Sequence, residues 1–127
     1  MHQINKHTIL SVLTMVFVFG TAFAFAQGSG EKDLKLFFKQ HCVKCHGADG
    51  SAHDEKGEKL KGEDFTDQEW QQDTSDEKMV KVIMKGIFFG LAMPSFKDEL
   101  TKEEAEKLVT EIVRKSKKGK IIAPDTE

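Results

Sequence analysis

The chain has few of the residues that build cross-linked or segmented proteins: two cysteines and two prolines among 127 residues. Two cysteines alone do not complete a structural zinc site, which usually needs four ligands. No segment repeats, and no linker rich in proline or serine divides the chain, so its length suits one small domain. The formal net charge of −2 argues against a nucleic-acid partner, because such partners normally need a basic patch.

Acidic residues are also missing from the first 26 residues, where Lys6 is the one lysine. The stretch Ile9–Ala26 is almost wholly apolar and ends in Ala24-Phe25-Ala26, a small-x-small cleavage pattern. We predict a cleavable export signal over residues 1–26 and a periplasmic protein without stable membrane insertion. An uncleaved anchor is the alternative, since the run approaches the ~20 residues that a spanning helix needs. A lipid anchor is not expected, because no cysteine lies near the cleavage site.

After Gln27 the apolar residues recur with helical spacing, and no segment alternates as a strand would. One apolar face predicts a first helix near residues 31–41. Gly86 is a natural helix stop. Three capping-box patterns predict further helix starts: they are Thr66-x-x-Glu69, Thr74-x-x-Glu77 and Thr101-x-x-Glu104.

Two irregular stretches separate the predicted helices. Residues 47–64 are polar and rich in glycine, and residues 86–98 are apolar and contain Met-Pro. Long loops in small domains usually serve a functional site. The sequence therefore predicts an all-α domain over residues 27–118, with loops that flank its one chemical motif, followed by a polar and frayed tail over residues 119–127.

The motif is Cys42-x-x-Cys45-His46, the attachment pattern for c-type haem. Cysteines three residues apart share one face of a helical turn, so both thiols reach the vinyl groups along one porphyrin edge. The histidine follows on the same side, as a proximal iron ligand. A redox disulfide needs a βαβ setting that the chain lacks. Half of a zinc site, with His41 or His53, and a structural disulfide are the other interpretations. The adjacent histidine and the export signal favour one covalent haem c.

The sixth position of the iron needs a second ligand if the protein carries electrons. Met79 and Met84 lie on the apolar face of a predicted helix, where core packing is the better interpretation. Met93 lies in an irregular loop before Pro94, and the proline keeps it out of helical conformation. We therefore predict Met93 as the distal ligand, with His53 as its main rival.

In this order and spacing, the motifs resemble those of small bacterial monohaem class I cytochromes c, including the cytochrome domain of cbb3-type subunit III. The resemblance covers nearly all of the chain after the signal. It is carried by Phe38 before Cys42–Gly47, Asp64-Phe65-Thr66 with Trp70, Ser75-Asp76-Glu77, Met93-Pro94-Ser95-Phe96, Leu100-Thr101 and Val113-Arg114.

The resemblance implies an all-α fold of three to four helices around one haem c, with the N- and C-terminal helices crossing. It implies His46 and Met93 as axial ligands, and Cys42 and Cys45 as thioether donors. It further implies a haem pocket lined by Phe65, Ile83, Phe88, Phe89 and Leu91, with Trp70 near a propionate. Many relatives carry a proline soon after the motif whose carbonyl orients the histidine. This chain has none there, so the partner of His46 stays unnamed.

The expected function is single-electron transfer between redox proteins by a monomeric carrier that is not an enzyme. Lys44, Lys85 and Lys97 are candidates for a ring of charge around the haem edge. Two alternatives remain open. One is a haem enzyme or ligand sensor with an open or labile sixth site, and the other is an electron-transfer module anchored to a larger respiratory complex.

Overall fold

The computed structural model describes residues 32–124. The predicted export signal, residues 1–26, lies outside the described residues, as do residues 125–127. Between residues 32 and 124, no helix combines the length and the apolar character that crossing a bilayer requires.

Short helices make up the described domain: α1 (Leu34–His41), α2 (Val43–His46), α3 (Gln68–Asp73), α4 (Asp76–Lys85) and α5 (Lys102–Leu108). A 3₁₀ turn, Phe88–Gly90, follows α4, and a π-helical turn, Val109–Val113, extends α5. No β-strand forms within residues 32–124, so the predicted all-α fold is confirmed.

The helices α3 and α4 each begin one residue later than their capping boxes predict. The Asp67 side chain caps α3, because the Thr66 hydroxyl donates to the Asp64 carboxylate at 2.6 Å instead. The Ser75 side chain caps α4, because the preceding Thr74 is buried and ends α3. Short polar side chains compete for such bonds with neighbouring groups, which moves a helix start by one residue.

Helix α5 begins at the predicted capping box. The Thr101 hydroxyl accepts from the Glu104 N–H at 3.1 Å, and the Glu104 carboxylate accepts from the Thr101 N–H at 2.8 Å. The helix then widens into the π-helical turn, in which the Arg114 N–H donates to the Val109 carbonyl at 2.8 Å. Helix α5 packs against α4 and against α1, so the first and last helices of the described domain are in contact.

One apolar core joins these helices. Phe38 and Val109 are its largest fully buried side chains. Burial of such side chains contributes about 1.5–3 kcal/mol each to folding. The core comprises Leu34, Phe37, Phe38, Met79, Val80, Ile83, Phe96, Leu100, Ala105, Leu108, Val109, Ile112 and Val113.

The segment after the last helix is held against the domain, unlike the frayed tail that the sequence predicts. The Gly119 N–H donates to the Asp49 carboxylate at 2.6 Å, and the Ile122 N–H donates to the Ala48 carbonyl at 2.8 Å. The Ile122 side chain packs against the core. The loop after α2 offers these acceptors, which are distant in the sequence.

Candidate functional site

The C-x-x-C-H motif lies on helical turns, as its spacing predicts. Cys42 joins α1 to α2, and Cys45 and His46 belong to α2. Both cysteines are partly buried, and neither is in a disulfide. Burial, and then the neighbouring Cys45, raise the pKa of Cys42 to about 12. The Cys42 thiol is therefore protonated at neutral pH.

The glycine-rich loop after the motif folds back onto helix α2. The Gly62 N–H donates to the Cys45 carbonyl at 2.8 Å, and the Ala52 N–H donates to the His46 carbonyl at 2.7 Å. The last carbonyls of a helix have no partner within the helix, so these bonds satisfy groups that would otherwise be unpaired. A Cβ atom at Gly62 would collide with the Cys45 carbonyl, which explains why the loop carries a glycine there.

His46 is buried, and its imidazole has one fixed orientation. The Nδ1–H donates to the Glu63 carbonyl at 3.0 Å, since a carbonyl only accepts. Burial lowers the pKa of His46, and the Glu63 carbonyl opposes that shift. The imidazole is therefore neutral at pH 7, with the lone pair of Nε2 free to bind a metal. The carbonyl of Glu63 is the partner that the sequence leaves unnamed.

Aromatic rings extend from His46 into the domain. The Phe65 ring stacks on the imidazole, with a centroid distance of 4.3 Å and an interplanar angle of 18°. The Trp70 ring lies 5.2 Å from the Phe65 ring, and the Phe38 ring lies 6.4 Å from it on another side. Phe65 thus joins the histidine to the core.

An apolar cleft lies beyond the Phe65 ring. It encloses about 610 Å³, including its open mouth, and Glu63 and Lys78 are the charged residues on its lining. Predicted pocket residues Phe65, Trp70 and Ile83 line it, together with the predicted ligand Met93. Other apolar residues of the lining are Met79, Val82, Ile87 and Val113.

Phe88, Phe89 and Leu91, the other predicted haem-pocket residues, do not line this cleft. Their side chains are 75%, 106% and 90% exposed. The backbone of both phenylalanines is left-handed, with φ of 49° and 56°. This conformation is rare for bulky residues. It belongs to the tight turn between α4 and Met93, and that turn directs the three side chains outward.

The loop that carries Met93, residues 86–96, is fixed to the end of helix α4. The Ile87 N–H donates to the Met93 carbonyl at 2.9 Å. The Ser95 hydroxyl donates to the Met84 carbonyl at 2.6 Å. Short bonds on both sides of Pro94 therefore define the position of Met93.

Two of the rival distal ligands, His53 and Met84, lie outside the cleft. The His53 Nδ1–H donates to the Ser51 carbonyl at 2.6 Å, and His53 lines a separate cavity beside α2. Met84 packs at the edge of the core outside the cleft. Met79 also lines the cleft, but its side chain is buried in the core.

The donor set fits a c-type haem. Cys42 and Cys45 offer two thiols on adjoining helical turns, His46 offers a neutral imidazole, and Met93 offers a thioether on the wall of an apolar cleft. Thioether attachment, with imidazole and thioether axial ligands, uses these groups. Over residues 32–124, His, Cys, Asp and Glu form no cluster of three or more that suits a metal ion without haem.

Comparisons with known proteins also indicate a c-type cytochrome. Two solved structures are similar: the KustC0563 c-type cytochrome, at 41% identity and a TM-score of 0.56, and a point mutant of it, at 42% and 0.55. Each comparison covers 68% of this chain and 100% of the other chain. No curated protein sequence matches. The family model described as cytochrome C oxidase, cbb3-type, subunit III, matches residues 31–110, more than half of the chain. The chain belongs to this family of c-type cytochromes.

Proposed function

We propose that the protein is a single-electron carrier with one haem c, bound covalently through Cys42 and Cys45 and ligated by His46 and Met93. When bound, the haem supplies an iron that takes up and releases one electron. The observation that supports Met93 as the sixth ligand is its position on the wall of the apolar cleft, in a loop fixed to α4. His53 lies in a different cavity.

The side chains then have separate tasks. The neutral imidazole of His46, oriented by the Glu63 carbonyl, donates through Nε2. Met93 would supply the second iron ligand and so exclude oxygen, and a thioether ligand favours a high potential. The apolar residues of the cleft keep water away from the metal, which also affects the potential.

We further propose that the carrier works as a monomer in the periplasm and exchanges electrons with other redox proteins. The export signal predicted over residues 1–26 supports that location. Lys44, Lys85 and Lys97 are all exposed, as a charged docking surface requires. Such encounters are usually small and transient, with steering by charge.

The first test compares Met93→Ala with Met84→Ala, which removes the same atoms from a methionine outside the cleft. Both variants are expressed at full length with the cytochrome c maturation machinery. We expect a c-type reduced spectrum in both. The weak far-red band of methionine ligation should disappear in Met93→Ala alone, whose reduced haem should then bind carbon monoxide.

Two results would contradict the proposal. If the wild type lacks the far-red band and its reduced haem binds carbon monoxide readily, Met93 does not ligate the iron, and a haem enzyme or sensor becomes the better interpretation. If no haem is attached covalently, the assignment of Cys42 and Cys45 is wrong as well.

A further inference from the structure

The side-chain amide of Gln71 joins three segments near His46. Its Nε2 donates to the Phe65 carbonyl at 2.7 Å and to the Val113 carbonyl at 2.9 Å. Its Oε1 accepts from Nη1 of Arg114 at 2.6 Å. Both N–H groups and the oxygen of the amide therefore have partners.

Arg114 determines which way this amide faces. A guanidinium group only donates, so the oxygen of Gln71 must face Arg114 and the nitrogen must face the two carbonyls. Arg114 is itself fixed. Its Nε donates to Asp76 at 2.6 Å, and its Nη2 donates to the Thr74 carbonyl at 2.6 Å. The π-helical turn before Arg114 adds one residue to the last helix and brings this side chain to the junction of α3 and α4.

The Phe65 carbonyl belongs to the segment that orients the axial histidine. The Phe65 N–H donates to the Gly50 carbonyl at 2.7 Å, and its C=O accepts from Gln71. Two residues earlier, the Glu63 carbonyl accepts from Nδ1 of His46 at 3.0 Å. Gln71 thus binds one end of the segment 63–65, and the other end of that segment accepts the hydrogen bond from His46.

We propose that Gln71, oriented by Arg114, is a positioning residue that fixes the Glu63 carbonyl against His46 and so tunes the reduction potential. A hydrogen bond at Nδ1 raises the basicity of a ligating imidazole. A more basic imidazole stabilises the ferric state and lowers the potential. This inference rests on the proposed function, in which His46 ligates the iron.

The test uses the haem-loaded protein and compares Gln71→Leu and Gln71→Glu with Gln72→Leu, a change at the exposed neighbour on α3. Two quantities are measured: the reduction potential, and the rate at which the His46 Nδ1 proton exchanges with deuterium in the ferrous protein, by NMR. We expect a higher potential in Gln71→Leu. In Gln71→Glu the added carboxylate charge opposes that rise, so the exchange rate is the decisive quantity for that variant. We also expect exchange to be faster by up to roughly tenfold, the factor that corresponds to loss of one hydrogen bond, because the Glu63 carbonyl is no longer held in place. Gln72→Leu should match the wild type.

Gln71→Glu keeps the oxygen that faces Arg114 and loses both donors, so it tests the proposal even if Gln71→Leu fails to fold. A wild-type exchange rate in a folded Gln71 variant would overturn the proposal, as would a wild-type potential in a folded Gln71→Leu, whatever happens to the stability of either variant. The far-red band separates this result from a failure of the proposed function. If the wild type lacks that band, Met93 ligation has failed, and the two His46 measurements still decide the role of Gln71.

Discussion

Gly86 lies where helix α4 ends and the chain returns toward Met93. Its φ is +70°, and a Cβ atom there would lie 2.6 Å from the Met93 carbonyl oxygen and 2.9 Å from the Ser95 nitrogen. Contacts this short with backbone atoms force the loop to move. The position of Met93 therefore depends on residue 86 being glycine, which has no side chain.

Substitution Gly86→Ala should displace this loop and weaken methionine ligation. Gly57→Ala is the matched control, because Gly57 has φ of +80° with nothing within 4 Å of a Cβ atom there. Both variants should lose about 1–3 kcal/mol from backbone strain, because residues with a Cβ atom rarely adopt φ of +70° or +80°. Only Gly86→Ala should show a further loss in the free energy of unfolding, measured with denaturant, and a diminished far-red band. Equal stability losses and equal bands would show that the close approach is unimportant.

Single residues of the site differ in how far the sequence reveals them. Cys42, Cys45 and His46 can be proposed from the sequence alone, because their chemistry lies in side chains at a fixed spacing. Glu63 was not, since its backbone carbonyl is the functional group and every residue has one. Gln71 was missed for a related reason: its partners are carbonyls and an arginine up to 43 residues away.

At the scale of helices, the sequence predicts which segments are helical better than it predicts where they begin. The apolar spacing that predicts α4 and α5 reflects burial of one face, which the core requires. The starts of α3 and α4 depend on competition between neighbouring polar groups, such as Thr66 with Asp64. The outward direction of the Phe88 and Phe89 side chains follows from the left-handed backbone of a tight turn, which no apolar pattern in the sequence encodes.

The capping box of α5 should make the stability of the protein depend on pH. The hydrogen bond from the Thr101 N–H, and more weakly Lys32, lower the pKa of Glu104 below its ordinary value of 4.5. The carboxylate therefore contributes stability above pH 4.5, and this contribution is lost as the pH falls through the folded-state pKa.

The wild type should lose stability as the pH falls below the ordinary pKa of glutamate. In urea unfolding between roughly pH 3 and 7, the Glu104→Gln variant should lose less stability over the same pH range. Glu103→Gln, which changes the neighbouring acidic residue of the same first turn, should keep that dependence. If the free energy of unfolding of both variants follows the wild-type dependence on pH, the capping box of α5 does not make stability depend on pH.

At the scale of the whole molecule, the last described residues close over the loop that follows the haem-binding motif. Their composition, rich in lysine and glycine, suggested a solvated tail. The contacts that hold them join positions about 70 residues apart, at Asp49 and Gly119. No local pattern encodes such a pairing, because each partner is a common surface residue.

Ile122 and Ile121 allow the contribution of this closure to be measured. Ile122 packs against the core and donates its N–H to the Ala48 carbonyl, whereas Ile121 is 63% exposed. Ile122→Ala should lower the free energy of unfolding by about 1–2 kcal/mol, since a partly buried side chain loses three carbons. Ile121→Ala should stay within about 0.5 kcal/mol of the wild type. Denaturant unfolding of the haem-loaded protein measures both, and a loss in Ile122→Ala as small as that in Ile121→Ala, within about 0.5 kcal/mol of the wild type, would mean that Ile122 does not stabilise the fold.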